Sequence, residues 1–190
     1  HRFGVSDRMR MVAKGFAPHV LVMSATPIPR TLALSIHGDM DLSVLDEKPP
    51  GRQPIKTATM PTSRLSEVIE GIRDAAKRGE RAYWVCPLIE ESEAVDLPAV
   101  LDRHAELQAY FGKGVEIVHG KMTPAPREAA MDRFRSGESF LMVATTVIEV
   151  GVNVPEATIM VIEQAERFGL AQLHQLRGRV GRGDKQGSCV

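Results

Sequence analysis

Apolar positions in this chain fall into two alternating arrangements, compact runs and helical stripes. Residues 19–24, reading His-Val-Leu-Val-Met-Ser, form a short apolar run of the kind that makes a buried parallel strand. From Ile55 the alternation becomes regular. Strands are expected over residues 55–60, 81–88, 115–119, 140–145 and 157–162. Helices are expected between them at 62–78, 99–111 and 124–135, the first carrying Leu65, Val68, Ile69 and Ile72 on one face. Thr123 is a suitable N-cap for the third, with Pro124 at its first position, and Ser136-Gly137 ends it. A last stripe of Phe168, Leu170, Leu173 and Leu176 predicts a helix carrying through at least Arg179. Strands alternating with helices of this length define an α/β fold on a parallel sheet. Such sheets bind ligands beyond the carboxyl ends of their strands, and the candidate motifs fall at those ends.

The pattern is interrupted once. Residues 46–54, Asp-Glu-Lys-Pro-Pro-Gly-Arg-Gln-Pro, hold three prolines and a glycine, which stiffen the chain and exclude regular structure. The expected organisation is therefore a segment 1–47, a linker 48–54, and a domain 55–190. Composition adds limits rather than function. Apolar residues make up 43% of the 190, enough for a packed core, and Lys+Arg and Asp+Glu balance at 24 each. Any nucleic-acid contact must then be a local patch. Cys86 and Cys189 lie far apart with no metal-ligand spacing, so two inert thiols in a reducing cytoplasm and no metal site of the chain's own are expected. No run approaches a membrane span.

Four stretches carry candidate chemistry. In Gln175-Leu-Arg-Gly-Arg-Val-Gly-Arg182, a continuous helix would place Gln175, Arg179 and Arg182 at i, i+4 and i+7, with Arg177 off the stripe. Gly178 and Gly181 each cost about 1 kcal/mol in a helix interior, which suits a face that a ligand must approach closely. Paired guanidiniums there fit a phosphate chain; a solvated basic helix end is the plainer alternative. His119-Gly120-Lys121 follows one expected strand as a tight basic turn. Ala144-Thr145-Thr146 closes another, where hydroxyls and free amides either bind a phosphate or cap the next turn. Ser24-Ala25-Thr26 sits at the end of the 19–24 run and, read alone, caps a helix.

Gln-x-x-Gly-Arg-x-Gly-Arg resembles the sixth motif of superfamily 2 helicases. Ser24-Ala25-Thr26-Pro27-Ile28-Pro29-Arg30-Thr31-Leu32 resembles the extended Ser-Ala-Thr motif of two of its branches, the RecG-type branched-DNA helicases and the transcription-repair coupling translocases. The wording of 83–93 is closer to the RecG type. The resemblance implies a RecA-like fold with a central parallel sheet flanked by helices. Residues 1–47 become the C-terminal segment of the first, ATP-binding RecA-like domain, and 55–190 the second, truncated at its end. Arg179 and Arg182 would reach the γ-phosphate of ATP, with Gln175, Gly151 and Asn153 facing the nucleotide. His119, Gly120, Lys121, Thr145 and Thr146 would touch the DNA backbone, and Ser24, Ala25 and Thr26 would couple hydrolysis to unwinding. Asn153 stands where the family has Asp, keeping the hydrogen-bonding shape without the charge. The implied cofactors are ATP and Mg2+, bound mainly by parts of the first domain outside this chain. The implied partners are branched DNA and the rest of the helicase, its wedge domain included, with no membrane involved. A coupling translocase, or a non-catalytic nucleic-acid-binding module of the same fold, remains the alternative. No Gly-x-x-x-x-Gly-Lys-[Ser/Thr] phosphate loop occurs, so the isolated chain is expected to be inactive.

Overall fold

The computed structural model describes residues 10, 13–15, 19, 21, 23, 41, 43–47, 51–87, 93–145 and 154–190. The chain divides into two compact units, His1–Glu47 and Lys48–Val190. All the elements described below belong to the second. In chain order they are β1 (Lys56–Thr57), α1 (Leu65–Lys77), β2 (Arg81–Val85), α2 (Glu93–Phe111), β3 (Val115–Val118), α3 (Pro124–Ser136), β4 (Leu141–Ala144), β5 (Ala157–Ile162), α4 (Leu170–Arg177) and β6 (Ser188–Cys189). The strands form one sheet in the order β1-β6-β5-β2-β4-β3, and every pairing is parallel.

The period of two along each strand splits the core into two layers. Ala82, Trp84, Leu141, Val143 and Val161 face one side, where Ile69 and Ile72 of α1 and Val100 and Leu107 of α2 cover them. Tyr83, Val85, Met142, Ala144, Met160 and Ile162 face the other, against Met131 and Phe134 of α3 and Leu176 of α4. The result is a three-layer α/β sandwich with strands buried on both faces, which is why they read as unbroken apolar runs. Trp84 is core as its place in a strand suggests, and its indole nitrogen donates to Glu163 at 2.5 Å. Both cysteines are buried free thiols; burial, helped by the nearby Glu163 carboxylate, pushes Cys86 up to about 12.

The elements depart from the expected ones where packing outweighs local preference. The α2 helix begins six residues before the expected Ala99 and runs through Pro98, because Leu97 and Val100 join the core beneath it. The strand expected at 55–60 shortens to Lys56–Thr57, since its partner β6 offers only Ser188 and Cys189. That partner, composed of small and polar residues, carries no strand signal in the sequence. A 3-10 turn (Thr62–Arg64) precedes α1. Thr123 occupies the N-cap position of α3 with Pro124 behind it, but its side chain makes no capping bond. Gly137 closes that helix at φ 87°, in the left-handed region.

Candidate functional site

The α4 helix runs back across the sheet from the carboxyl edge to the amino edge and stops at Arg177, two residues short of the expected end. Beyond it the amides of Arg179 and Val180 bond to the carbonyls three residues back, at Leu176 and Arg177. Val180 is then drawn into the core, and Gly181 adopts φ 63° and gives its N–H to the Ala157 carbonyl at 3.0 Å. The helical stripe expected to align Gln175, Arg179 and Arg182 therefore does not form. Gln175 stays on the helix, half-buried; Arg179 and Arg182 ride a turn after it. The close approach inferred from the glycines is real, but it is made by backbone. A Cβ at Gly181 would meet the Gly187 amide nitrogen at 3.0 Å, and one at Gly183 the Pro155 carbonyl at 2.8 Å.

The location also differs from the expected one. Ala157 opens β5, so Arg179 and Arg182 lie at the amino edge of the sheet and not beyond the strands' carboxyl ends. There the Gly178 carbonyl accepts two hydrogen bonds, from Arg182 Nε at 3.0 Å and from Arg52 Nη2 at 3.2 Å. Partial burial, with the charges of Arg179 and Arg52 added, holds Arg182 below the usual arginine range. The Tyr83 hydroxyl is buried without a hydrogen-bond partner among the described residues, and burial pushes it up to about 12 against the pull of Arg179 and Arg182. This is a site with several forked, permanently charged donors, suited to an oxyanion with several oxygens. Arg177, off that cluster, lies 3.4 Å from His174 and lines a cavity of about 500 Å³ with Thr57, Thr59 and Gln164.

The second constellation stays at the carboxyl edge. His119, Gly120 and Lys121 follow β3, and Thr145 follows the neighbouring β4, with the Thr145 amide bonded to the Val118 carbonyl at 3.3 Å. That amide is consumed, and Thr145 is 4% exposed, so the free amide expected there is absent. The turn is closed by Met122 N–H on the His119 carbonyl and clamped by Arg127, whose Nη2 reaches the carbonyls of His119 (3.3 Å) and Gly120 (3.4 Å). Desolvation, then the charges of Arg127 and Lys121, hold His119 below its ordinary value of 6.5, and its buried Nδ1 has no partner among the described residues. Two functional candidates were not visible in the sequence reading. Arg127 is one charge among several on α3, and Arg52 hides in a stretch whose prolines marked it as a spacer.

Ser24, Ala25, Thr26, Thr146, Gly151 and Asn153 lie outside the described residues. Among the described residues no group of three His, Cys, Asp or Glu side chains could hold a metal ion, and no helix is long and apolar enough to cross a membrane.

Known proteins give this geometry a context. Residues 62–184 match the helicase conserved C-terminal domain family. The ATP-dependent DNA helicase RecG of Acidithiobacillus ferridurans is 54% identical over 191 residues, covering 100% of this chain and 28% of the relative. RecG of Escherichia coli K12 is 52% identical over 196 residues, again covering 100% of this chain and 28% of the relative. Among solved structures, RecG bound to a three-way DNA junction superimposes with a TM-score of 0.73 at 44% identity, over 88% of this chain and 22% of that one. The chain thus spans roughly a quarter of the length of the curated relatives it matches. A parallel RecA-like sheet, the arginine turn at its amino edge and similarity to RecG over the whole of this chain agree on one placement: this chain belongs to the helicase conserved C-terminal domain family, as a RecG-type member.

Proposed function

We propose that this chain is the second RecA-like domain of an ATP-dependent DNA helicase acting on branched DNA in recombination and repair, preceded over residues 1–47 by the end of the first. The observation that carries the reading is the pairing of Arg182 and Arg52 on the Gly178 carbonyl at one edge of the sheet, with the charge of Arg179 close to Arg182. Their donors fit a triphosphate. ATP supplies the phosphoanhydride whose hydrolysis drives such a motor, and Mg2+ belongs with the other domain's ligands. Arg179 and Arg182 bind the terminal phosphate and stabilise the charge that grows on it, the role of an arginine finger. Gln175, Gly151 and Asn153 face the nucleotide, Asn153 with hydrogen bonds and no charge. At the opposite edge His119, Gly120 and Lys121 hold DNA phosphates; Thr145, whose amide is spent, would join them only through its hydroxyl, Thr146 shares the role, and Ser24, Ala25 and Thr26 couple the two events. Backbone contacts of this kind favour little sequence preference and steep salt dependence. Similarity to RecG over the whole of this chain favours this reading over a transcription-repair translocase.

The test is ATP hydrolysis by the full-length protein with and without forked DNA, beside its Arg182→Ala variant. Forked DNA should stimulate turnover, and the variant should lose about 10³-fold of it, the scale of an arginine finger. Turnover indifferent to Arg182 refutes the mechanism.

A further inference from the structure

The stretch that follows the 1–47 unit is fastened to the arginine turn at four points. Arg52 Nη2 donates to the Gly178 carbonyl at 3.2 Å and Gln53 Nε2 to the Asp184 carbonyl at 3.0 Å. Gln186 Nε2 donates to the Pro54 carbonyl at 3.2 Å, and the Lys56 amide to the Gly187 carbonyl at 2.9 Å. Residues 52–56 and 178–187 therefore run side by side, although more than a hundred residues separate them in sequence. Just upstream, Gly51 turns the chain at φ 82°, where a Cβ would meet nothing within 4 Å.

Arg52 differs from the other three fasteners. Gln53 and Gln186 are exposed, and the Lys56 bond is backbone to backbone. Arg52 is half-buried and shares its acceptor with Arg182. Both nitrogens lie about 3 Å from one oxygen and hence no more than about 6 Å from each other. Gly178 is also the residue at which α4 ends and the turn bearing Arg179 and Arg182 begins. A carbonyl gripped from two sides fixes the direction in which that turn leaves the helix. Glycine at 178 offers no side chain to do so, and the residue itself has helical angles that alone would let the helix run on. The guanidinium is suited to the task because one N–H can be spent on a carbonyl while four donors remain.

We infer that Arg52 is a positioning residue of the arginine site: through the Gly178 carbonyl it fixes the turn that aims Arg179 and Arg182, and it ties that aim to the stretch 52–56. The ligand served is the polyphosphate of the function proposed above, and the inference rests on that reading. A like charge brought this close to Arg182 also raises the gain from an incoming oxyanion, because one ligand then relieves the mutual repulsion of the group.

The test is a double-mutant cycle in the full-length protein, reading kcat and KM for ATP at saturating forked DNA. Arg52→Ala should lower kcat by about tenfold to a hundredfold, the scale of a misplaced but present group, while KM moves less than about twofold. In the Arg182→Ala background the same change should cost clearly less than in the parent, since one of the two arginines it aims is already gone. Arg52→Lys, which keeps the charge and one donor able to reach the carbonyl, should recover part of the loss. Parental kcat in Arg52→Ala beside an impaired Arg182→Ala overturns this inference alone. Equal losses in both backgrounds do the same, since a general structural defect is indifferent to Arg182. Parental kcat in Arg182→Ala overturns the arginine reading itself and this inference with it. Should Arg52→Ala fail to fold, Arg52→Gln replaces it in the cycle under the same criteria.

Discussion

His119 is the residue at which environment and proposed ligand pull in opposite directions. Desolvation comes first, and Arg127 and Lys121 add to it, so the folded protein holds the imidazole neutral below its ordinary value of 6.5. The sign of the pH effect follows. As pH falls through 6.5 the unfolded chain takes up its proton before the folded one, so stability is lost on the acid side and unaffected above it. A DNA phosphate beside the ring reverses the bias, because it favours the charged form. In an NMR titration the His119 ring of the free protein should titrate below 6.5 and shift upward when a forked oligonucleotide is added. A ring that titrates at or above 6.5 without DNA, or that ignores the oligonucleotide, removes His119 from the interface. How well single residues could be read from sequence depended on what announced them. His119-Gly120-Lys121 stood out because a basic turn followed an apolar run. Arg52 and Arg127 did not, because their importance lies in which carbonyl each reaches across the fold, and sequence spacing holds no trace of a contact between Arg52 and Gly178.

At the scale of elements, two glycines that look alike in the sequence call for opposite outcomes. Gly71 lies inside α1, is exposed, and a Cβ there would meet nothing within 4 Å. Its replacement by alanine removes a helix-interior penalty and should stabilise the fold by about 0.5–1 kcal/mol. Gly181 holds φ 63°, and its Cβ would sit 3.0 Å from the Gly187 amide nitrogen, an atom fixed in the strand-leading backbone. Gly181→Ala should therefore destabilise by about 1–3 kcal/mol. Urea unfolding of both variants, compared at unchanged m, decides the matter; a Gly181→Ala midpoint equal to the parent's would mean that the turn relaxes freely. The same contrast explains which elements were legible beforehand. The central strands and α1 to α3 declare themselves because each buries a long apolar face, and burial is written in periodicity. The end of α4 escapes the pattern because a glycine within a helical stripe reads as a cost, whereas the Val180 anchor and the Ala157 carbonyl make these two the exit from the helix. The β6 strand, Ser188–Cys189, buries one side chain, Cys189, and is otherwise held by backbone bonds with β5 and β1, so two residues leave no periodicity to announce it.

For the molecule as a whole, what matters is that the two constellations sit at opposite edges of one sheet. The strands between them, at about 3.3 Å per residue, set a separation on the order of 15–20 Å, so the nucleotide and DNA contacts proposed for them would not compete for space. That arrangement also limits what the chain can do by itself. An arginine finger lowers the barrier only for a phosphate that something else holds in place, and the glycine-rich phosphate loop that would cradle it is absent from these 190 residues. Nor do the described residues offer a carboxylate cluster for Mg2+. The purified 190-residue chain should accordingly hydrolyse no ATP above the buffer rate, with or without forked DNA. Any DNA binding it shows should fall steeply with added salt, because the contacts proposed for the carboxyl-edge residues are to phosphates alone. A phosphate-release assay settles the first point. Turnover that survives repurification and disappears in Arg182→Ala would mean that the chain assembles a complete phosphate site without the preceding domain, and the division of labour proposed between the two domains would fall.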